Sequence, residues 1–156
     1  MQSVKGYFTI MYTVYISMLL LPSVFLFLAL ANKKHNDFSK YDIPYIIADG
    51  IVIAFGFYAA YFYSQKKIKE AKRKRGLHEK LSKYQKVLFI PWIILDMIAV
   101  FSIVCYIITG ELIFVCITIF SLVILFLNKP NLSNIVERLD LPEDEQRVLQ
   151  NPKSAI

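Results

Sequence analysis

Composition and charge patterning predict an all-α integral membrane protein: a four-transmembrane-helix bundle with a cytosolic basic helical hairpin and a short amphipathic C-terminal tail. Three observations carry that prediction. The chain of 156 residues is 56% hydrophobic with a mean hydropathy of +0.49, above the ~45–50% apolar share of soluble domains. The excess is gathered into four runs, as in membrane-spanning helices. Between the second and third runs, residues 64–86 hold ten of the 18 Lys and Arg and carry a net +8, with Glu70 and Glu79 as the only acids. A connector this basic stays on the cytosolic side of a bilayer, and that fixes the direction of every span.

The first span covers residues 7–31, 25 positions without a charge. At 1.5 Å per residue this is about 37 Å of helix, enough to cross with tilt. Pro22 removes a backbone hydrogen bond and predicts a kink. Ala29-Leu30-Ala31 resembles a signal-peptide cleavage site. The apolar stretch is much longer than the ~7–15 residues of a signal core, however, so a retained helix is expected. A polar outer loop follows, in which Lys33, Lys34 and Lys40 offset Asp37 and Asp42 and His35 is expected to be solvated.

The second span, 43–63, has Pro44 in its first turn, where the missing N–H is harmless. Gly50 with Ala54, and Gly56 with Ala60, recur at the spacing that lets another helix approach closely. Tyr58, Tyr61 and Tyr63 form an interfacial belt at its far end. The basic segment 64–86 is itself helical in pattern, with Glu70 before Lys74 and Glu79 before Lys83 at the favourable i,i+4 spacing. Arms 64–75 and 77–86 are expected, with Gly76 as the C-cap of the first.

The third span is 87–109, with Pro91 in its first turns and Trp92 near the cytosolic interface. Gly110-Glu111 makes a tight outer turn. The fourth span, 112–128, has an uncharged, mainly apolar stretch of only 16 residues, 112–127, about 24 Å of helix. Residues 1–128 thus form the transmembrane domain and 129–156 a cytosolic acidic tail. Within the tail, Leu132, Ile135, Val136 and Leu139 mark one face of a helix over 133–139. Pro142 followed by Glu143-Asp144-Glu145 starts another. Tail and hairpin carry opposite net charge on the same side, so a weak, salt-screened attraction is expected.

Two ionisable residues lie inside the spans, Asp49 and Asp96. Such a group costs about 2.5–3.5 kcal/mol at a helix centre, so it has a partner or a task. Matching depths nominates Tyr12, Tyr15 and Ser17 as partners of Asp96, and Ser23 and Tyr106 as partners of Asp49. No Lys, Arg or His occurs in any span. The carboxyls are therefore either hydrogen-bonded glue between helices or part of a proton- or cation-coupled path.

Catalytic chemistry has no support. There is no GxSxG, no HExxH and no glycine-rich phosphate loop, and both histidines lie in connectors. Cys105 and Cys116 sit in apolar runs, without the spacing of a zinc site or redox motif. No catalytic residue, metal or cofactor is expected.

Contact with anionic lipid headgroups or a partner falls to Lys66, Lys67, Lys69, Lys72, Arg73, Lys74, Arg75, Lys80, Lys83 and Lys86. A Lys-rich set suits headgroups better than bidentate recognition, and nucleic acid is not expected. The sequence points to a multi-pass protein of the cell membrane with both termini cytosolic. It would serve as a non-enzymatic accessory or interaction subunit, as a homo-oligomer or with a membrane-protein partner. The alternative is a small oligomeric transporter or pore coupled through Asp96 and Asp49.

Overall fold

The computed structural model describes residues 3–32, 42–74, 76–151 and 154. Its regular elements are the long helices α1 (Val4–Asn32), α2 (Ile43–Lys72) and α3 (Leu77–Thr109), then the shorter α4 (Leu112–Leu127), α5 (Leu132–Leu139) and α6 (Glu143–Gln150). The three long helices have 18-residue windows with mean hydropathies of 2.3, 1.7 and 2.5, enough to cross a membrane. α4 has 16 residues and reaches spanning length only together with α5, which it meets at a bend of 77°. These lengths and compositions are those of a small helical membrane protein. The expected outer loop, with Lys33, Lys34, His35 and Lys40, lies outside the described residues, as does Arg75.

Two boundaries differ from expectation. α2 ends at Lys72, not at residue 75, and the Lys74 N–H closes its last turn on the Ala71 carbonyl at 3.1 Å. Gly76 is the N-cap of α3, with extended backbone (φ −113°, ψ 141°), and not the C-cap of α2. Four consecutive cations, 72–75, explain the early stop. They suit the negative end of a helix dipole but repel one another if the helix continues through them.

The second boundary is the one that vanishes. The expected arm 77–86 and the third span are one helix of 33 residues, so Pro91 lies inside α3 and not in a first turn. Pro22 likewise lies inside α1 without ending it.

α3 is the axis of the molecule. α1, α2 and α4 each pack along it, α1 and α4 also touch, and α2 makes a further short contact with α5. Of the apolar windows, 44% of α3 is buried but only 6% of α2. α3 is thus the most enclosed of the long helices and α2 the least. α2 leans on α3 and leaves a cleft between itself and α4. Gly56 sets how closely it leans. A Cβ there would lie 2.8 Å from Ile98 Cδ1 and 3.1 Å from Ile94 Cγ2, whereas a Cβ at Gly50 would meet nothing within 4 Å.

Buried side chains gather at the two ends. At the basic end Tyr7, Met11, Tyr15, Ala71, Leu81, Tyr84, Leu88 and Trp92 pack with Leu125, Ile135, Leu139, Leu141 and Leu149. At the other end Leu26, Ala29, Ile103, Cys105, Tyr106, Phe114 and Val115 form a second cluster. There Gly110 adopts a left-handed conformation (φ 85°), its N–H bonded to the Tyr106 carbonyl at 2.8 Å, and turns the chain into α4. Only glycine takes that conformation without steric cost.

Candidate functional site

Asp49 is fully buried between α2 and α3, with Ser102 Oγ 3.0 Å from each carboxyl oxygen. The same hydroxyl lies 3.0 Å from the Ile98 carbonyl. One hydroxyl carries one proton, so it serves these acceptors in turn. The pair therefore holds in either charge state. Ser102 donates to a carboxylate, or accepts from a carboxylic acid while donating to Ile98.

Ser102 was missed because partners for Asp49 were sought at Ser23 and Tyr106. Ser23 instead donates to the Leu19 carbonyl of its own helix at 2.6 Å. Tyr106 packs in the apolar cluster with Leu26, Ile103 and Phe114. The signal was available, since Asp49 and Ser102 lie at matching depths below the outer ends of α2 and α3.

Asp96 is half-buried on α3, and its Oδ1 is enclosed without a hydrogen-bond partner among the described residues. The residues nominated for it are engaged elsewhere. Tyr12 Oη donates to the Pro130 carbonyl at 2.8 Å, Tyr15 Oη to the Phe126 carbonyl at 3.1 Å, and Ser17 Oγ to Thr13 within α1 at 2.9 Å. The physical reason is the end of α4 and the connector after it, where the Phe126 and Pro130 carbonyls have no intrahelical donor and attract the phenols. Trp92 Nε1 adds a third donor, to the Asn128 carbonyl at 3.2 Å. Three aromatic side chains from two helices thus pin the bend between α4 and α5.

The tail is docked, not loosely attracted. Ile135, Leu139, Leu141 and Leu149 are buried against the 71–92 region. Lys80 Nζ bonds Glu145 Oε2 at 2.7 Å, with side chains only 11% and 19% exposed. The expected weak attraction is corrected accordingly: the apolar stripes of the tail form the seat, and the ion pair lies against it. Tyr7 Oη donates to the Leu81 carbonyl at 3.0 Å, and the Val4 N–H to the Ser154 carbonyl at 3.1 Å, so the start of α1 joins the same assembly. Burial pushes the Tyr84 phenol above its ordinary pKa, and the positive charge of the nearby Arg138 guanidinium partly offsets that push.

The cations divide into two groups. Lys67 pairs with Glu70, Lys74 with Glu79 at 3.2 Å, and Lys80 with Glu145. These replace the expected Glu70–Lys74 and Glu79–Lys83 pairs. The Lys67 ammonium holds the Glu70 carboxyl below its usual range. Lys80 is thereby committed inside the chain. Lys66, Lys69, Lys72, Arg73 and Lys86 are exposed with no ion pair among the described residues, and Lys83 is half-buried.

The cleft beside α2 holds two cavities that share Phe57. One, of about 520 Å³, is walled by Gly56, Ala60, Pro91, Trp92 and Ile98, with Ser64, Gln65, Asn128 and Arg138 at its basic end. The other, of about 470 Å³, continues past Ile53, Ile113 and Phe120 and is almost wholly apolar. Among the described residues no group of His, Cys, Asp and Glu is placed to hold a metal ion. No family model, curated protein or solved structure matches the chain.

Proposed function

We propose that this chain is a multi-pass protein of the cell membrane in which α4 makes a fourth crossing. In this reading both termini and the 64–86 hairpin are cytosolic, and the protein is a non-enzymatic accessory or interaction subunit. The observation that carries the reading is the built basic end. Tail, hairpin and the start of α1 share one apolar seat. From it Lys66, Lys69, Lys72, Arg73 and Lys86 project as a cationic face. Such a face suits anionic headgroups at the inner leaflet and an acidic partner.

Orientation is tested by cysteines placed at Ser82 and Ser39. The Ser39 position should label from outside intact cells and the Ser82 position should not. Outside labelling at Ser82 would reverse the topology. For the interaction role, the chain drawn gently from its native membrane should migrate as a complex. The Lys66→Gln/Lys69→Gln/Lys72→Gln variant should insert normally and lose that complex. A wild-type chain that purifies alone counts against the role.

One observation favours a second reading, an oligomeric transporter: the buried Asp96 oxygen without a hydrogen-bond partner among the described residues. Asp96→Asn removes titration and keeps the shape. The expected outcome is no proton or cation flux through wild-type liposomes. Flux that is present in the wild type and lost in Asp96→Asn, with stability kept, would replace the accessory role with transport.

A further inference from the structure

The cavity between α2 and α3 is graded in polarity along its length. Its deep wall is Gly56, Ile94 and Ile98, and its mouth is Ser64, Gln65, Asn128 and Arg138. At the mouth it adjoins a small polar recess that shares Leu88, Asn128 and Arg138 and adds Lys129, Asn131 and Asn134. Arg138 is exposed, lines both cavities, meets the buried Tyr84 across the recess, and is in no ion pair among the described residues. A guanidinium has five N–H donors, and a single neighbouring phenol leaves most of them free. The result is a positioned cationic fork at the polar end of an apolar groove.

We infer that this groove is a binding site for one anionic glycerophospholipid. An acyl chain lies along Gly56, Ala60 and Pro91, and the phosphate sits on Arg138. The inference rests on the membrane reading proposed above. The polarity gradient of the groove matches that of a lipid, apolar along its length and anionic at one end. The fork of Arg138 suits two phosphate oxygens at once. An extended peptide would bring backbone amides to walls with nothing to bond them, at a high cost within a bilayer. An acyl chain brings none. The site differs from the diffuse attraction of the exposed lysines, because Lys66, Lys69 and Lys72 do not line it.

Trp92 is the only tryptophan in the chain and lines the groove, so it reports occupancy directly. The full chain is reconstituted in phosphatidylcholine vesicles. Its fluorescence is then quenched with rising fractions of phosphatidylglycerol brominated on its acyl chains, and separately with brominated phosphatidylcholine. Phosphatidylglycerol should reach half-quenching at about a tenfold lower mole fraction, the worth of a hydrogen-bonded charge. Arg138→Gln should erase that preference, Arg138→Lys should keep part of it, and Lys66→Gln/Lys69→Gln/Lys72→Gln should leave it intact. Ala60→Phe fills the groove without touching Arg138. It should erase the preference too, and it decides the matter if Arg138→Gln does not fold.

Equal quenching by both lipids in the wild type overturns the lipid site and leaves the membrane reading standing. So does a preference that survives Arg138→Gln and Ala60→Phe but disappears in the triple lysine variant. Quenching by neither lipid overturns the site together with the membrane reading.

Discussion

Gly56 and Gly50 stand on the same helix in opposite surroundings. Gly56 faces the Ile94 and Ile98 side chains at contact distance, and Gly50 faces open space. Gly56→Ala should cost about 1 kcal/mol, because a buried Ile98 must give way. Gly50→Ala should be neutral or stabilising by up to about 1 kcal/mol, the helix preference of alanine over glycine. Thermal denaturation of both variants in one detergent tests the contrast, and equal melting points would mean that α2 does not lean on α3 at Gly56. Both glycines were visible in the sequence as close-packing candidates, but spacing alone cannot say which of two small residues meets a neighbour. Asp49 repeats the lesson. Its need for a partner was legible, yet depth pointed to Ser23 and Tyr106, since depth does not say which side chain of a neighbouring helix faces the carboxyl. Ser102→Ala should cost about 0.6–1.7 kcal/mol, the worth of a hydrogen bond between membrane helices, read from the same melts.

At the scale of elements, the tail is where charge counting misled most. Opposite net charges suggested attraction through solvent, whereas α5 and α6 insert Ile135, Leu139 and Leu149 into the core and carry one enclosed ion pair. Cross-links between the 66–74 and 137–145 segments should therefore form at low and high salt alike, because apolar contact is not screened. Lys80→Gln leaves Glu145 enclosed without its cation and should weaken docking by about 1–3 kcal/mol, seen as faster proteolysis of the tail. Lys80→Glu with Glu145→Lys should restore part of the loss. Tyr84 adds a pH dependence of known sign. Its folded pKa is raised, so its contribution is complete below its unfolded value of about 10 and is lost as pH rises through the folded value. Alkaline solution should release the tail, and Tyr84→Phe should remove that component of the release.

Over the whole molecule, the helical class and the order of the three long apolar helices were legible because uninterrupted apolar runs leave no other structure in lipid. Their arrangement around α3 was not legible, because every run reads as apolar on all faces. Such a pattern names no preferred neighbour. A consequence is uneven protection. Amide hydrogen exchange in detergent should be slowest in α3, which is packed on three sides, and fastest among the long helices in the 43–63 part of α2. Uniform rates would argue for a closed bundle. The turn at Gly110 and Glu111 has a further consequence, for biosynthesis. Two residues reach at most about 7 Å, far short of the ~30 Å of a hydrocarbon layer. If α4 makes the fourth crossing proposed above, it is not threaded as an independent stop or start signal. In that four-span topology it enters folded back on α3, the two helices inserting together as one hairpin. A chain lacking α3 would strand α4 at the membrane surface, and a lengthened turn would turn one insertion event into two.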